Sequence, residues 1–264
     1  MYEFEHHKPA SVADAASAMK GADDGKLLAG GQTMIPTLKQ RLASPSDLVD
    51  LGGIAELKGI TVSGGTITIG AMTTHAAVAA SAEIKSALPA LAELADHIGD
   101  AQVRNRGTIG GSVANNDPAA DYPAACLALG ATIHTSQRDI TADDFFTGLF
   151  ETALEEDEII TKISFPVASK AAYVKFPNPA SRYALVGVFV ADGPAGTRVA
   201  VTGAGQDGVF RVPEMESALS GSFSADVIAN VKVSADDLNA DIHASADYRA
   251  HLITVMAKRA VAKI

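Results

Sequence analysis

The sequence predicts an α+β fold. Residues 26–42 run as an apolar strand, a Gly-Gly turn and a helix, the order that builds an α/β layer. Residues 172–202 hold three β-rich segments joined by turns, which predict a three-stranded antiparallel sheet with helices after it. The closing stretch from Ala246 to Ala262 spaces Leu252, Val255, Met256 and Arg259 at helical intervals. Composition fits: 47% of the 264 residues are apolar, with nine Phe, five Tyr and no Trp. Such a core must be built from small aliphatic side chains packed on helices.

The elements follow in order. Tyr2 to His6 alternates as a short strand. Ser11 and Asp14 have the spacing of a capping box, which opens a helix to about Lys20. Lys26–Ala29 is a strand, Met34–Leu42 a helix with Pro36 in its first turn, and Asp47–Leu51 a strand. Ile60–Ile69 is a hairpin of β-branched residues around Gly64 and Gly65. An Ala-rich helix follows His75, and an amphipathic one spans Leu88–Ile98 with Gly99 beyond it. Residues 107–116 are Gly-, Ser- and Asn-rich and read as a loop. Ala119–Leu129 is a helix, and strands follow at Ala131–Thr135 and Glu158–Phe165. Residues 166–170 form the expected boundary between a domain at 1–166 and one at 167–264. Beyond it lie strands at Ala172–Phe176, Ala184–Ala191 and Arg198–Thr202. Helices are expected at Pro213–Leu219 and Ala225–Ile228, ahead of the final one.

Charge and cysteine usage narrow the function. The formal net charge of −10 repels polyanions, so nucleic-acid binding is disfavoured. The single cysteine, Cys126, can form no internal disulfide and no thiolate cluster, and it fits a reducing cytoplasm. No basic region followed by an apolar stretch marks a leader, and no apolar run reaches the ~20 residues of a bilayer span.

Two stretches carry candidate chemistry. Ala29, Gly30, Gly31, Gln32 and Thr33 follow a strand and precede a helix, so several N–H groups can converge on a phosphate. The alternative is a plain strand-to-helix turn. Thr108, Ile109, Gly110, Gly111 and Ser112 form a second glycine-paired bend, which could cover a cofactor or be an ordinary Ω-loop. Gly203, Gly205 and Gly208 match G-x-G-x-x-G, but an extended segment follows rather than a helix, so a hairpin is expected. The seven histidines show no metal-ligand spacing, although His243 and His251 could share one helix face. No G-x-S-x-G elbow is present.

Three motifs then occur in sequence. Residues 29–33 read Ala-Gly-Gly-Gln-Thr, residues 69–75 Ile-Gly-Ala-Met-Thr-Thr-His, and residues 104–117 Arg-Asn-Arg-Gly-Thr-Ile-Gly-Gly-Ser-Val-Ala-Asn-Asn-Asp. With the segments Asp241–Arg249 and Lys258–Ala260, they resemble the FAD-binding medium subunit of the molybdenum hydroxylases, the carbon monoxide dehydrogenase and xanthine dehydrogenase relatives. The resemblance covers nearly the whole chain. It implies a two-subdomain FAD-binding region of the PCMH or vanillyl-alcohol-oxidase-like type, divided at about residues 56–57, and a smaller α+β domain behind it.

The resemblance also implies site residues. Ala29–Thr33 and Thr108–Ser112 would wrap the FAD pyrophosphate, with Thr74 beside them. Asp121 would lie on the nucleotide side, Ile160 would make an apolar contact, Lys175 would sit near the flavin head, and Tyr183 beside the isoalloxazine. The sequence departs from the family at Ser112, where Asn or Asp is common, and at Pro177 and Pro179, where basic residues are common. The implied partners are an iron–sulfur small subunit and a molybdenum-cofactor large subunit, in a dimer of heterotrimers, with an external electron acceptor. Electrons would reach FAD from the clusters and leave to that acceptor. Two alternatives stand beside this one: a free-standing FAD-dependent oxidoreductase, and a non-enzymatic nucleotide-binding module.

Overall fold

The computed structural model describes residues 1–264. The first 57 residues build a small parallel layer. It contains β1 (Glu5–His7), α1 (Val12–Gly21), β2 (Gly25–Leu28), α2 (Met34–Lys39) and β3 (Asp47–Asp50), with sheet order β1-β3-β2. Ser11 caps α1 by accepting the Asp14 N–H. The Asp14 carboxylate accepts a hydrogen bond from the Ser11 hydroxyl instead of from the Ser11 N–H, so only half of a capping box forms. Ala15, Val49, Leu51, Ile54 and Leu57 close a core that reaches Met72 and Ile159.

The middle region is built on an antiparallel sheet. Its hairpin is β4 (Ile60–Ser63) and β5 (Thr66–Gly70), turned at Gly64 and Gly65, both with positive φ. Six helices follow: α3 (His75–Ala80), α4 (Ala82–Ala87), α5 (Pro89–Asp96), α6 (Ala101–Arg106), α7 (Ile109–Asn115) and α8 (Tyr122–Leu129). Then come β6 (Thr132–Thr135), β7 (Asp139–Thr141), α9 (Ala142–Phe145), the small hairpin β8 (Phe146–Gly148) and β9 (Glu151–Thr152), and β10 (Ile160–Pro166). The sheet order is β4-β5-β10-β6-β7.

The C-terminal sheet is an antiparallel meander of β11 (Lys170–Pro177), β12 (Ala184–Gly193), β13 (Gly196–Gly205) and β14 (Gly208–Arg211). It has four strands rather than the three expected, because the segment after Gly208 pairs with β13. The literal G-x-G-x-x-G is therefore the hairpin turn between β13 and β14. After α10 (Pro213–Gly221) the chain passes through turns to α11 (Ala246–Lys263). The helix expected at Ala225–Ile228 is a run of turns, because only Ile228 is buried there and one apolar anchor does not set a helical face. His243 and His251 do not share a helix face: Ser245 caps α11, so His243 lies outside it.

Both faces of this sheet are covered. Val188, Val190, Val199 and Val201 face α11. Tyr173, Phe189 and Ala200 face the other way and join the core of the middle region. Helix α8 lies in that core, with all eight of its residues buried. Its alanines let the sheets approach, which is how a chain with few aromatics fills its interior.

Arg249 fixes α11 to the sheet. Its buried guanidinium donates to the carbonyls of Leu185 and Gly203 at 2.7 and 2.9 Å and to Asp241 Oδ2 at 2.7 Å. Arg249→Met strips two buried carbonyls of their donor, so it should lower stability by about 3 kcal/mol in urea unfolding. An unchanged midpoint would remove this helix anchor from the account.

Candidate functional site

The two glycine-paired bends meet through their backbones. A Cβ at Gly30 would lie 2.2 Å from the Arg106 carbonyl oxygen and 2.7 Å from Gly107 Cα. A Cβ at Gly111 would lie 3.2 Å from Ala29 Cβ. At Gly30 only glycine permits the approach. Gly31 adds a left-handed φ of 73°, which turns the chain from β2 toward α2.

The bends differ in what they offer a ligand. In the first, the N–H groups of Gly30, Gly31, Gln32, Thr33 and Met34 donate to no group of the chain, and Gln32 and Thr33 are exposed. Free main-chain donors grouped in this way can hold an anion. In the second, the donors are engaged internally. The Ile109 N–H donates to Thr73 O at 3.1 Å, Gly110 to Ala71 O at 2.9 Å, and Gly111 to the Thr108 hydroxyl at 3.2 Å. The Ser112 N–H donates to Thr108 O. The expected loop at residues 107–116 is instead helix α7, capped by Thr108, and its amides lock the bend in place rather than reach outward. Gly110 presses on Ala71, where a Cβ would come within 2.5 Å. Thr74, which caps α3, pairs with Thr108 across an isolated antiparallel bridge. Ile160 is buried in the same apolar cluster as Ile109 and Val113.

Asp121, expected on the nucleotide side of the cofactor, and Lys175, expected near the flavin head, meet: Lys175 Nζ lies 2.9 Å from Asp121 Oδ1. Their side chains are only 5% and 4% exposed. Lys175 also donates to the His97 carbonyl at 3.0 Å, and Asp121 accepts the Tyr173 hydroxyl at 2.5 Å. Burial raises the Asp121 carboxyl pKa, while the Lys175 charge and the Tyr173 hydroxyl pull against it. The Lys175 charge is thus matched by Asp121. Tyr183 is 51% exposed. Its hydroxyl pKa is raised by partial burial and by Asp117 and Asp121. The turn that carries it is ordered by Asn178, whose Oδ1 accepts the Ala180 and Ser181 N–H groups, so Pro177 and Pro179 flank a built turn. Sequence reasoning missed Tyr173, whose partner Asp121 lies 52 residues away, and Asn178, whose turn-ordering role shows only in the folded backbone. A separate groove of about 510 Å³ between α3 and α6, lined by Ala76, Lys85, Glu93 and Arg104, includes none of the candidate residues.

His75 supports the second bend from below. Its N–H donates to Gly107 O, and a Cβ at Gly107 would touch its Nε2 at 2.6 Å. The ring packs on Tyr122 with centroids 5.4 Å apart, and Nδ1 has no partner. Burial, and then the Arg104 charge, push its pKa down to about 4 from 6.5. The folded pKa is depressed, so the unfolded chain takes up the proton first. This contribution to stability is complete above about pH 6.5 and is lost as pH falls toward about 4. His75→Gln should flatten the pH dependence of the urea midpoint in that window by on the order of 2–3 kcal/mol. Parallel profiles for both chains would contradict a neutral buried His75.

Comparison with known proteins identifies the family. Residues 2–168 match the family described as the FAD binding domain in molybdopterin dehydrogenase. The chain is 34% identical to the nicotine 6-hydroxylase medium subunit of Paenarthrobacter nicotinovorans, over 98% of this chain and 96% of the relative. It is 34% identical, with the same coverage, to the carbon monoxide dehydrogenase medium chain of Hydrogenophaga pseudoflava. The solved carbon monoxide dehydrogenase from that organism superposes with a TM-score of 0.89 at 36% identity, over 98% of this chain and 96% of the other. Quinoline 2-oxidoreductase from Pseudomonas putida 86 superposes with a TM-score of 0.90 at 29% identity, over 99% and 96%. No helix is long and apolar enough to cross a membrane. The chain belongs to the FAD-binding medium subunits of the molybdenum hydroxylases, and is an oxidoreductase subunit that binds FAD and works with partner subunits.

Proposed function

We propose that this chain is the electron outlet of a molybdenum hydroxylase in a reducing cytoplasm. Its partners in this reading are an iron–sulfur small subunit and a molybdenum-cofactor large subunit, as a dimer of heterotrimers. FAD supplies the capacity to collect single electrons from the clusters and release a pair to an external acceptor, chemistry that no side chain of this protein provides. The observation that carries the reading is the backbone contact of Gly30 with Arg106 and Gly107, beside a row of free main-chain donors.

The residues divide the work. The N–H groups of Gly30 to Thr33 hold the pyrophosphate. Thr108, Ile109, Gly110, Gly111 and Ser112 form the opposing wall, stiffened by their own hydrogen bonds and by Thr74. The apolar backing comes from the cluster that contains Ile160. Asp121 and Lys175 act as one neutral pair at a single point along the cofactor. Tyr183 offers an exposed ring for stacking against the isoalloxazine. The names of the relatives, medium subunits and medium chains, support a complex over a free-standing enzyme.

Gly30→Ala places a methyl group 2.2 Å from a backbone oxygen and must push the bends apart. The purified chain should then carry at least about tenfold less FAD by visible absorbance, while its circular dichroism stays close to wild type. Undiminished flavin content would defeat the cradle. Affinity capture of the wild-type chain from its source should bring iron and molybdenum in fixed ratio to FAD. Flavin-replete chain captured without either metal would defeat the assignment of partners.

A further inference from the structure

The buried pair of Asp121 and Lys175 has a third member. Tyr173, on β11, is fully buried, and its hydroxyl reaches Asp121 Oδ1 at 2.5 Å. It reaches because residue 187 on the paired strand β12 is glycine: a Cβ there would lie 2.4 Å from the hydroxyl oxygen. Lys175 Nζ spans both carboxylate oxygens, at 2.9 Å from Oδ1 and 3.1 Å from Oδ2. A lysine alone treats the two oxygens alike and leaves the carboxylate free to turn. The Tyr173 hydroxyl breaks that equivalence. Oδ1 then holds two donors and Oδ2 one, so Oδ2 keeps acceptor capacity.

We infer that Tyr173 is a positioning residue for the flavin site, whose hydroxyl, admitted by Gly187, fixes the Asp121 carboxylate so that Oδ2 can accept a hydrogen bond from FAD. This rests on the proposed placement of Asp121 at the cofactor. The bland alternative is that Tyr173 only satisfies its own buried hydroxyl. The two differ in their coupling. A positioning role works through Asp121 and vanishes when that carboxylate is removed; a purely structural role does not.

The groups around Asp121 are Lys175 and Tyr173 from β11, His97 beyond α5, Tyr122 at the start of α8 and Tyr183 on the turn after β11. Loss of the Tyr173 donor removes a bond to the charged form, so the carboxylate protonates at higher pH. The test uses the full chain stripped of flavin. The dissociation constant of FAD is read from flavin fluorescence between about pH 5 and about pH 8, alongside thermal unfolding.

Tyr173→Phe should weaken FAD binding about tenfold and move the acid limb of affinity to higher pH. Asp121→Asn should weaken it at least as much and abolish that limb. The double variant should bind no worse than Asp121→Asn alone. Gly187→Ala, which displaces the hydroxyl but keeps the tyrosine, should reproduce the shifted limb. Additive losses in the double variant overturn the inference. So does Tyr173→Phe with wild-type affinity and a lowered Tm. Wild-type affinity in Asp121→Asn overturns it too, and leaves the glycine cradle standing. Full FAD retention in Gly30→Ala is a separate failure, which sinks the cradle rather than Tyr173.

Discussion

The site depends on main chain touching main chain. Gly30 lies against the Arg106 carbonyl and Gly107, and nothing larger than hydrogen fits between them. That contact ties the end of a parallel layer to the entry of α7, two segments that share no sheet. The second bend can serve as a fixed wall because its own amides are satisfied by Thr73, Ala71 and Thr108. The first can serve as the anion cradle because its amides are not. One bend is rigid so that the other can be open. His75 and Thr74 carry that rigidity into α3, from which the Gly107 carbonyl receives its hydrogen bond.

The buried pair of Asp121 and Lys175 follows a second logic. Two ionised groups removed from water lose hydration that their mutual attraction only partly restores. Here a tyrosine hydroxyl and a backbone carbonyl share the work of satisfying them. Such a cluster adds little net stability compared with an apolar replacement, and its value lies in defined geometry. The departure of the turn from the basic pattern of the family fits this picture. Asn178 orders the backbone of the turn that carries Tyr183, so the turn is built without local charge.

Much of this was legible in the sequence where a residue has few conformational options. The glycine pairs marked both bends, Gly64 and Gly65 marked a hairpin, and the extended pattern after Gly208 excluded a dinucleotide fold. The α+β class and the FAD-binding family were legible too. Helices α6 and α7 were not, because α6 is only six residues long and glycine and asparagine disguise α7; Asp100 and Thr108 nucleate them as N-caps. The meeting of Asp121 with Lys175 was not legible either. They are 54 residues apart, and the packing of the C-terminal sheet on α8 brings them together. The inward use of the second bend's amides depends on carbonyls of residues 71 and 73, which sequence spacing alone does not align.

The position of α8 has a consequence for how this protein can be divided. The matched family segment ends at residue 168, yet the interior does not end there. Tyr173, Phe189, Ala191 and Ala200 complete the wall around that wholly enclosed helix. A fragment cut at the segment boundary would bare an apolar rod to solvent and release the strand that anchors Asp121. Evolutionary modularity and mechanical independence therefore part company here: the recognisable module cannot be lifted out intact, and grafting it onto another scaffold would require bringing the meander with it.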